Sequence, residues 1–290
     1  MLPREVGRVR KDRKREATAG TSPRRGSAGK KIAAGIMIGM VICLLGLAIW
    51  TNRTEKAAYQ KPGYEKVDIE NILSKKEPSL QDVQILSEQT GLSAEVLSYM
   101  KEQGRWSELP LLQEAYFAPV KVECTANSII SREEYLVNEL GERIRGMDIP
   151  YVEEGDILIT SCSHVFGWRN GHAGLVVDAQ KGLVLEAQVL GSPSVVTSLE
   201  HWESYPSFLV LRLKEADRKI GENIAQFALE NLKGIDYKVL AGIFDRQEES
   251  PDGTQCAHLV WYAYRKFGYD LDSDGGLIVT PADIAGSKEL

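Results

Sequence analysis

Nineteen consecutive residues, Ile32 to Trp50, carry no charge: IAAGIMIGMVICLLGLAIW. At roughly 1.5 Å per residue, a helix of that length spans about 28 Å, close to the hydrocarbon thickness of a bilayer. A helix built into a soluble core would show a polar stripe, and this run has none. Trp50 stands where an interfacial aromatic belongs. The run therefore reads as a transmembrane helix over 32–50.

Residues 1–31 form a basic tail. Arg4, Arg8, Arg10, Lys11, Arg13, Lys14, Arg15, Arg24, Arg25, Lys30 and Lys31 face only Glu5, Asp12 and Glu16. Such a block can bind nucleic acid, but its place beside the apolar run points to the membrane instead. An excess of Lys and Arg before a span keeps the N-terminus in the cytoplasm, so everything after Trp50 is expected outside it. A cleaved signal peptide is the alternative. The run is long for a signal-peptide core, and LAIWTNR is a poor cleavage site. Both readings export the rest of the chain. The net charge of −6 is that of the whole chain, so the rest is more acidic than the total suggests.

Residues 51–117 read as a linker and a small helical region. Thr51 to Pro62 is a polar juxtamembrane stretch. A helix follows the N-cap Ser79, with Val83, Ile85 and Leu86 apolar and Gly91 as its stop. A second runs from Ser93 to Gly104, and a third from Ser107 to Phe117, ended by Pro119. No chemistry is visible there. From residue 118 to 290 the pattern changes. VKVEC from Val120, DILIT from Asp156, GHAGLVVD from Gly171, GLVLEAQV from Gly182 and SFLVLRL from Ser207 read as strands. Arg132 to Arg145, Gly221 to Leu232 and Cys256 to Phe267 read as helices. Alternating strands with turn residues between them, then helices, predict an α+β fold with a mostly antiparallel sheet.

Of the four cysteines, Cys43 lies in the span, and Cys124, Cys162 and Cys256 lie beyond it. Three external thiols leave at least one unpaired; Cys124 and Cys162 are the pair that could join. Cys256 opens a helix, CAHLVWYAYRKF, on the face shared by Leu259, Val260, Ala263 and Phe267. Its thiol points at the core from a first turn, whose N–H groups favour a thiolate. His258 points to the opposite side and reads as a surface or partner-facing residue. His172 begins a strand between two glycines. Glu186 falls on the His172 face of a hairpin if residue 178 pairs with 182 or with 180; a one-residue slip would reverse this. Gln188 shares that face and is the reserve candidate. Each residue has a bland reading: a core cysteine, a structural histidine, an exposed strand glutamate. Together they make a Cys–His–Glu set in which an imidazole activates a thiol and a carboxylate orients the imidazole.

GDILIT at Gly155, GHAGLVVD, LEA at Leu185, QCAHLVWYAYRKFGYDLDSDGG and VTPADIAGS at Val279 resemble the circularly permuted NlpC-like papain fold, specifically the YiiX/YaeF-like amidases. The resemblance runs from Pro119 to the C-terminus. As in the permuted group, the cysteine helix follows the histidine strand. The resemblance implies a permuted papain-like catalytic domain over 118–290, with Cys256 as nucleophile, His172 as base and Glu186 as third residue. It implies amide hydrolysis without a cofactor, on a peptide or acyl substrate such as cell-wall peptide. A thioesterase or lipid acyltransferase with the same triad, and a catalytically silent binding domain, are the rival expectations. The loop SCSHVFGWRN matches no motif, and Trp168 in it is a candidate for lining the site.

Asp270, Asp272, Asp274 and Gly275 match the opening of a calcium loop, but its twelfth position is Pro281 rather than the bidentate Glu. The stretch reads instead as a turn after the cysteine helix. Cys162 and His164 have no second pair of ligands at useful spacing, so no metal is expected.

Overall fold

The computed structural model describes residues 26–54, 64–128, 130–214, 218–243 and 251–290. Residues 1–25 of the basic tail, residues 55–63 of the juxtamembrane stretch and the side chain of Trp50 lie outside the described residues. The chain divides into two units, one ending at Gly46 and one from Leu47 to Leu290. Helix α1, Gly26–Thr54, extends beyond the expected span at both ends. Its stretch Lys30–Leu47 has a mean hydropathy of 1.9 and no buried residue, so it is long and apolar enough to cross a membrane.

In the second unit, helices come first: α2 Glu70–Leu73, α3 Leu80–Thr90, α4 Ala94–Glu102 and α5 Leu109–Phe117, with a 3-10 turn at Trp106–Glu108. The expected caps are in place. Ser79 Oγ accepts from Asp82 N, and the Asp82 carboxylate accepts from Ser79 N at 2.8 Å, a reciprocal capping box. Gly91 ends α3 in the left-handed region, at φ +74°. Ser93 caps α4.

Strands β1 Val122–Ala126, β2 Ser131–Leu136, β3 Ile157–Thr160, β4 Ser163–Val165, β5 Trp168–Arg169, β6 His172–Asp178, β7 Leu183–Glu186 and β8 Val195–Ser198 follow. Then come α6 Leu199–Trp202, β9 Leu209–Leu211, α7 Arg218–Asn231, α8 Cys256–Arg265 and α9 Pro281–Ala285. The strands form two antiparallel sheets, ordered β1-β2-β4-β5 and β8-β7-β6-β3-β9. The α+β expectation with antiparallel sheets is met.

The central strands of the five-stranded sheet, β3, β6 and β7, are buried on both faces. Ile157, Ile159, Ala173, Leu175 and Leu185 pack with α7 and α8. Leu158, Val176, Val184 and Val210 pack with Leu86 of α3, with Val96, Leu97 and Met100 of α4, and with Trp202. Double coverage is why β6 is apolar almost throughout, where a half-exposed antiparallel strand would alternate. The α3–α4 loop also covers the β9 edge: Val210 N donates to Gly91 O at 3.0 Å, and Ser93 N donates to Val210 O at 2.9 Å.

The helix expected over Arg132 to Arg145 is absent. Its first residues form β2, which pairs with β1 on one side and β4 on the other. Asn138 Oδ1 then accepts from Leu140 N and Glu142 N, both at 2.9 Å, and turns the chain. The local composition favours a helix, but pairing on both sides satisfies the β2 backbone as a strand, and tertiary pairing overrides propensity.

Candidate active site

Cys256 and His172 line a cleft of about 410 Å³, and Glu186 is buried against His172. Cys256 is 8% exposed, His172 2% and Glu186 not at all. The β6–β7 hairpin pairs Gly174 with Glu186 and Val176 with Val184, then shifts by one residue so that Asp178 faces Leu183. The expected 178–182 register therefore holds where it matters, and Glu186 sits diagonal to His172 on one face.

His172 Nε2 donates to Glu186 Oε2 at 2.6 Å. That leaves Nδ1 uncommitted to the carboxylate, and Cys256 lines the same cleft as the ring. Burial opposes charge on the imidazole, but Cys256 and Glu186 outweigh it and hold the His172 pKa well above its ordinary range. Burial likewise opposes charge on Glu186. The hydrogen bond and charge of His172 win there too, and the carboxyl stays below its usual range. Glu186 Oε1 accepts from Gln188 Nε2 at 3.1 Å and from Thr197 Oγ1. Gln188, the reserve candidate, thus holds the carboxylate rather than replacing it.

Trp202 stacks on His172, with ring centroids 5.3 Å apart and planes 16° from parallel. Gly174 makes room for it: a Cβ there would lie 2.6 Å from Trp202 Cζ2 and 2.7 Å from Val184 Cγ1. Gly171 enters β6 at φ +77°, and a Cβ on it would meet Thr160 O at 2.7 Å. Sequence reasoning assigned no role to Trp202 or Thr197, because neither carries a spacing signal relative to His172.

Gln255 caps α8, its Oε1 accepting from Ala257 N at 2.9 Å while its Nε2 donates to Val279 O at 2.7 Å. The same Oε1 accepts from Cys256 Sγ at 3.5 Å. The Cys256 N–H, at the first helical position, has no intrahelical partner. It is the backbone donor nearest the sulfur by sequence.

Other expectations are corrected. His258 is fully buried, not at the surface. Its Nδ1 lies 3.1 Å from Thr254 Oγ1, and its ring packs on Trp261 and Tyr262. Helix α8 has no solvent face from Cys256 to Tyr264, so a residue opposite the thiol is buried as well. Phe267, assigned to the buried face, is 38% exposed beyond the helix end. Trp168 is 76% exposed and does not line the cleft, whereas its neighbours Arg169 and Asn170 do. Cys124 and Cys162 are both thiols. Cys124 pairs with Glu134, and Glu134 N donates to Cys162 O, so the cysteines sit two strands apart. That is about 10 Å, beyond disulfide reach. His164 Nε2 lies 3.0 Å from Glu134 Oε1 in a buried pair.

Asp270 Oδ1 accepts from Trp261 Nε1 at 2.7 Å, so the first position of the calcium-loop pattern holds the end of α8. Asp272, Asp274 and Asp283 each bring one oxygen within 4.8 Å of the others, with Asp283 engaged in capping α9 through Thr280.

No family model, no curated protein and no solved structure matches this chain.

Proposed function

We propose that this chain is a membrane-anchored cysteine hydrolase of the permuted NlpC-like papain kind, cleaving an amide bond in cell-wall peptide. The carrying observation is His172, buried, bonded to a carboxylate and lining one cleft with a thiol. The Cys256 thiolate attacks the substrate carbonyl, and the Cys256 N–H helps hold the resulting oxyanion. His172 gives its proton to the leaving amine, and the C–N bond breaks to leave a thioester. His172 then takes a proton from water, which attacks the thioester and releases the acid with the thiol restored. Glu186 holds the imidazole orientation and supports its cation throughout. Helix α1 anchors the domain on the outer side of the membrane, with the basic tail inside.

The test is alkylation of the full chain in detergent with iodoacetamide, read at Cys256 by peptide mass spectrometry. Cys256 should react faster than free cysteine at neutral pH, and His172→Ala should slow it by about tenfold or more. A Cys256 that reacts slowly and is indifferent to His172 would sink the assignment and leave a binding domain. A second reading, a thioesterase or acyltransferase with the same residues, draws on the apolar cleft wall of Val165, Val189, Leu190, Val239 and Ile278. Turnover of a long-chain acyl thioester in preference to a peptide amide would favour it.

A further inference from the structure

Glu133 lies in β2, inside the segment that reads as helical from sequence alone. It is 2% exposed and lines the same cleft as Cys256 and His172. Its Oε2 accepts from the Tyr135 hydroxyl. Its Oε1 is buried and has no hydrogen-bond partner among the described residues. A buried carboxylate oxygen left this way is costly, and more so where an apolar wall lowers the local dielectric.

Among the described residues, no cation forms an ion pair with Glu133. Arg169, the other charged cleft residue besides His172, donates to both oxygens of Glu134 at 2.8 Å and to Ser161 O at 3.1 Å. Arg143 sits on the Tyr135 ring, 3.2 Å from its centroid. Arg143 and His201 lie near Glu133 without bonding it, so the cleft offers a carboxylate oxygen still open to a donor. An ammonium fits best, because it offers three donors and a full countercharge.

The position relative to the thiol sets the scale. Glu133 pairs with Ser163, and Ser163 O accepts from Gly171 N at 3.0 Å, one residue before His172. Two such spacings put the Glu133 backbone about 10 Å from that of Gly171. An amine on Glu133 and a carbonyl at Cys256 would then belong to one amino-acid-sized or short peptide ligand.

We propose that Glu133 is an ammonium-binding site, and that the cleft takes substrates carrying a primary amine near the carbonyl attacked by Cys256. This rests on the hydrolase reading above and narrows its substrate class.

The test uses the full chain in detergent and three methanethiosulfonate reagents: aminoethyl (cationic), methyl (neutral) and sulfonatoethyl (anionic). In each case the Cys256 thiolate displaces methanesulfinate and forms a mixed disulfide, quantified at Cys256 by peptide mass spectrometry. The ratio of cationic to anionic rates should fall about tenfold or more in Glu133→Gln. A ratio that does not move overturns the proposal, and a fast His172-dependent reaction with the neutral reagent would show that the hydrolase reading survives it. A Cys256 inert to the neutral reagent overturns both. A second arm needs no variant. Glycinamide should protect wild-type Cys256 from the neutral reagent at concentrations about tenfold below those needed for N-acetylglycinamide, which lacks the ammonium. Equal protection by the two overturns the proposal.

Discussion

His172 gives one nitrogen to a carboxylate and lines the cleft beside a thiol, and pH acts on the His172–Glu186 pair. Glu186 has a lowered pKa in the folded state, so its stabilising contribution is present above its ordinary value of 4.5 and is lost as pH falls through the folded value. His172 has a raised pKa, so its contribution is complete below its ordinary 6.5 and is lost as pH rises through the folded value. The stability gap between wild type and Glu186→Gln, followed by urea midpoints, should shrink as pH drops below about 4.5. A gap independent of pH would contradict the pairing. At neutral pH the same variant should lose roughly 10²-fold to 10⁴-fold in hydrolysis, because a neutral amide no longer supports the imidazolium. Gly174→Ala probes packing at the same place. Its new methyl would overlap Trp202 and Val184, so it should cost about 1–3 kcal/mol in chemical denaturation and slow Cys256 alkylation by displacing the ring that backs His172.

Two elements carry the same capping chemistry at different distances from the cleft. Ser79 caps α3, and Thr280 caps α9, each with an Asp three residues on. Ser79→Ala and Thr280→Ala should each cost about 1 kcal/mol in urea unfolding. They should differ in effect at the thiol. Pro281 and Ala282 of α9 line the cleft, whereas no residue of α3 does. Thr280→Ala should therefore alter Cys256 alkylation, and Ser79→Ala should not. The caps of α3 and α4 were legible because a cap is local: Ser, the apolar run and Gly lie within about a dozen residues. β2 was not legible, since its partners β1 and β4 complete it across the fold.

At the scale of the molecule, the proposed anchoring makes a cellular prediction. The full chain should stay in the membrane fraction after alkaline carbonate washing, and a chain beginning after Thr54 should not. Protease added outside intact cells should digest the C-terminal part and spare the basic tail, while the opposite pattern would overturn the proposed orientation.

Residues 32–50, the caps, strands β3, β6 and β7, and helix α8 follow from periods and signals carried within a few turns of chain. Because side-chain direction alternates along a strand, the face shared by His172 and Glu186 was also readable once a hairpin register was assumed. What no local signal contains is the identity of distant neighbours. Only the tertiary structure decided that His258 is enclosed on all sides and that Trp202 backs His172. The same holds for Glu133, turned from a helix into a strand and set in the wall of the Cys256 cleft. Burial, pairing and the company a charge keeps depend on segments that the chain brings together only by folding.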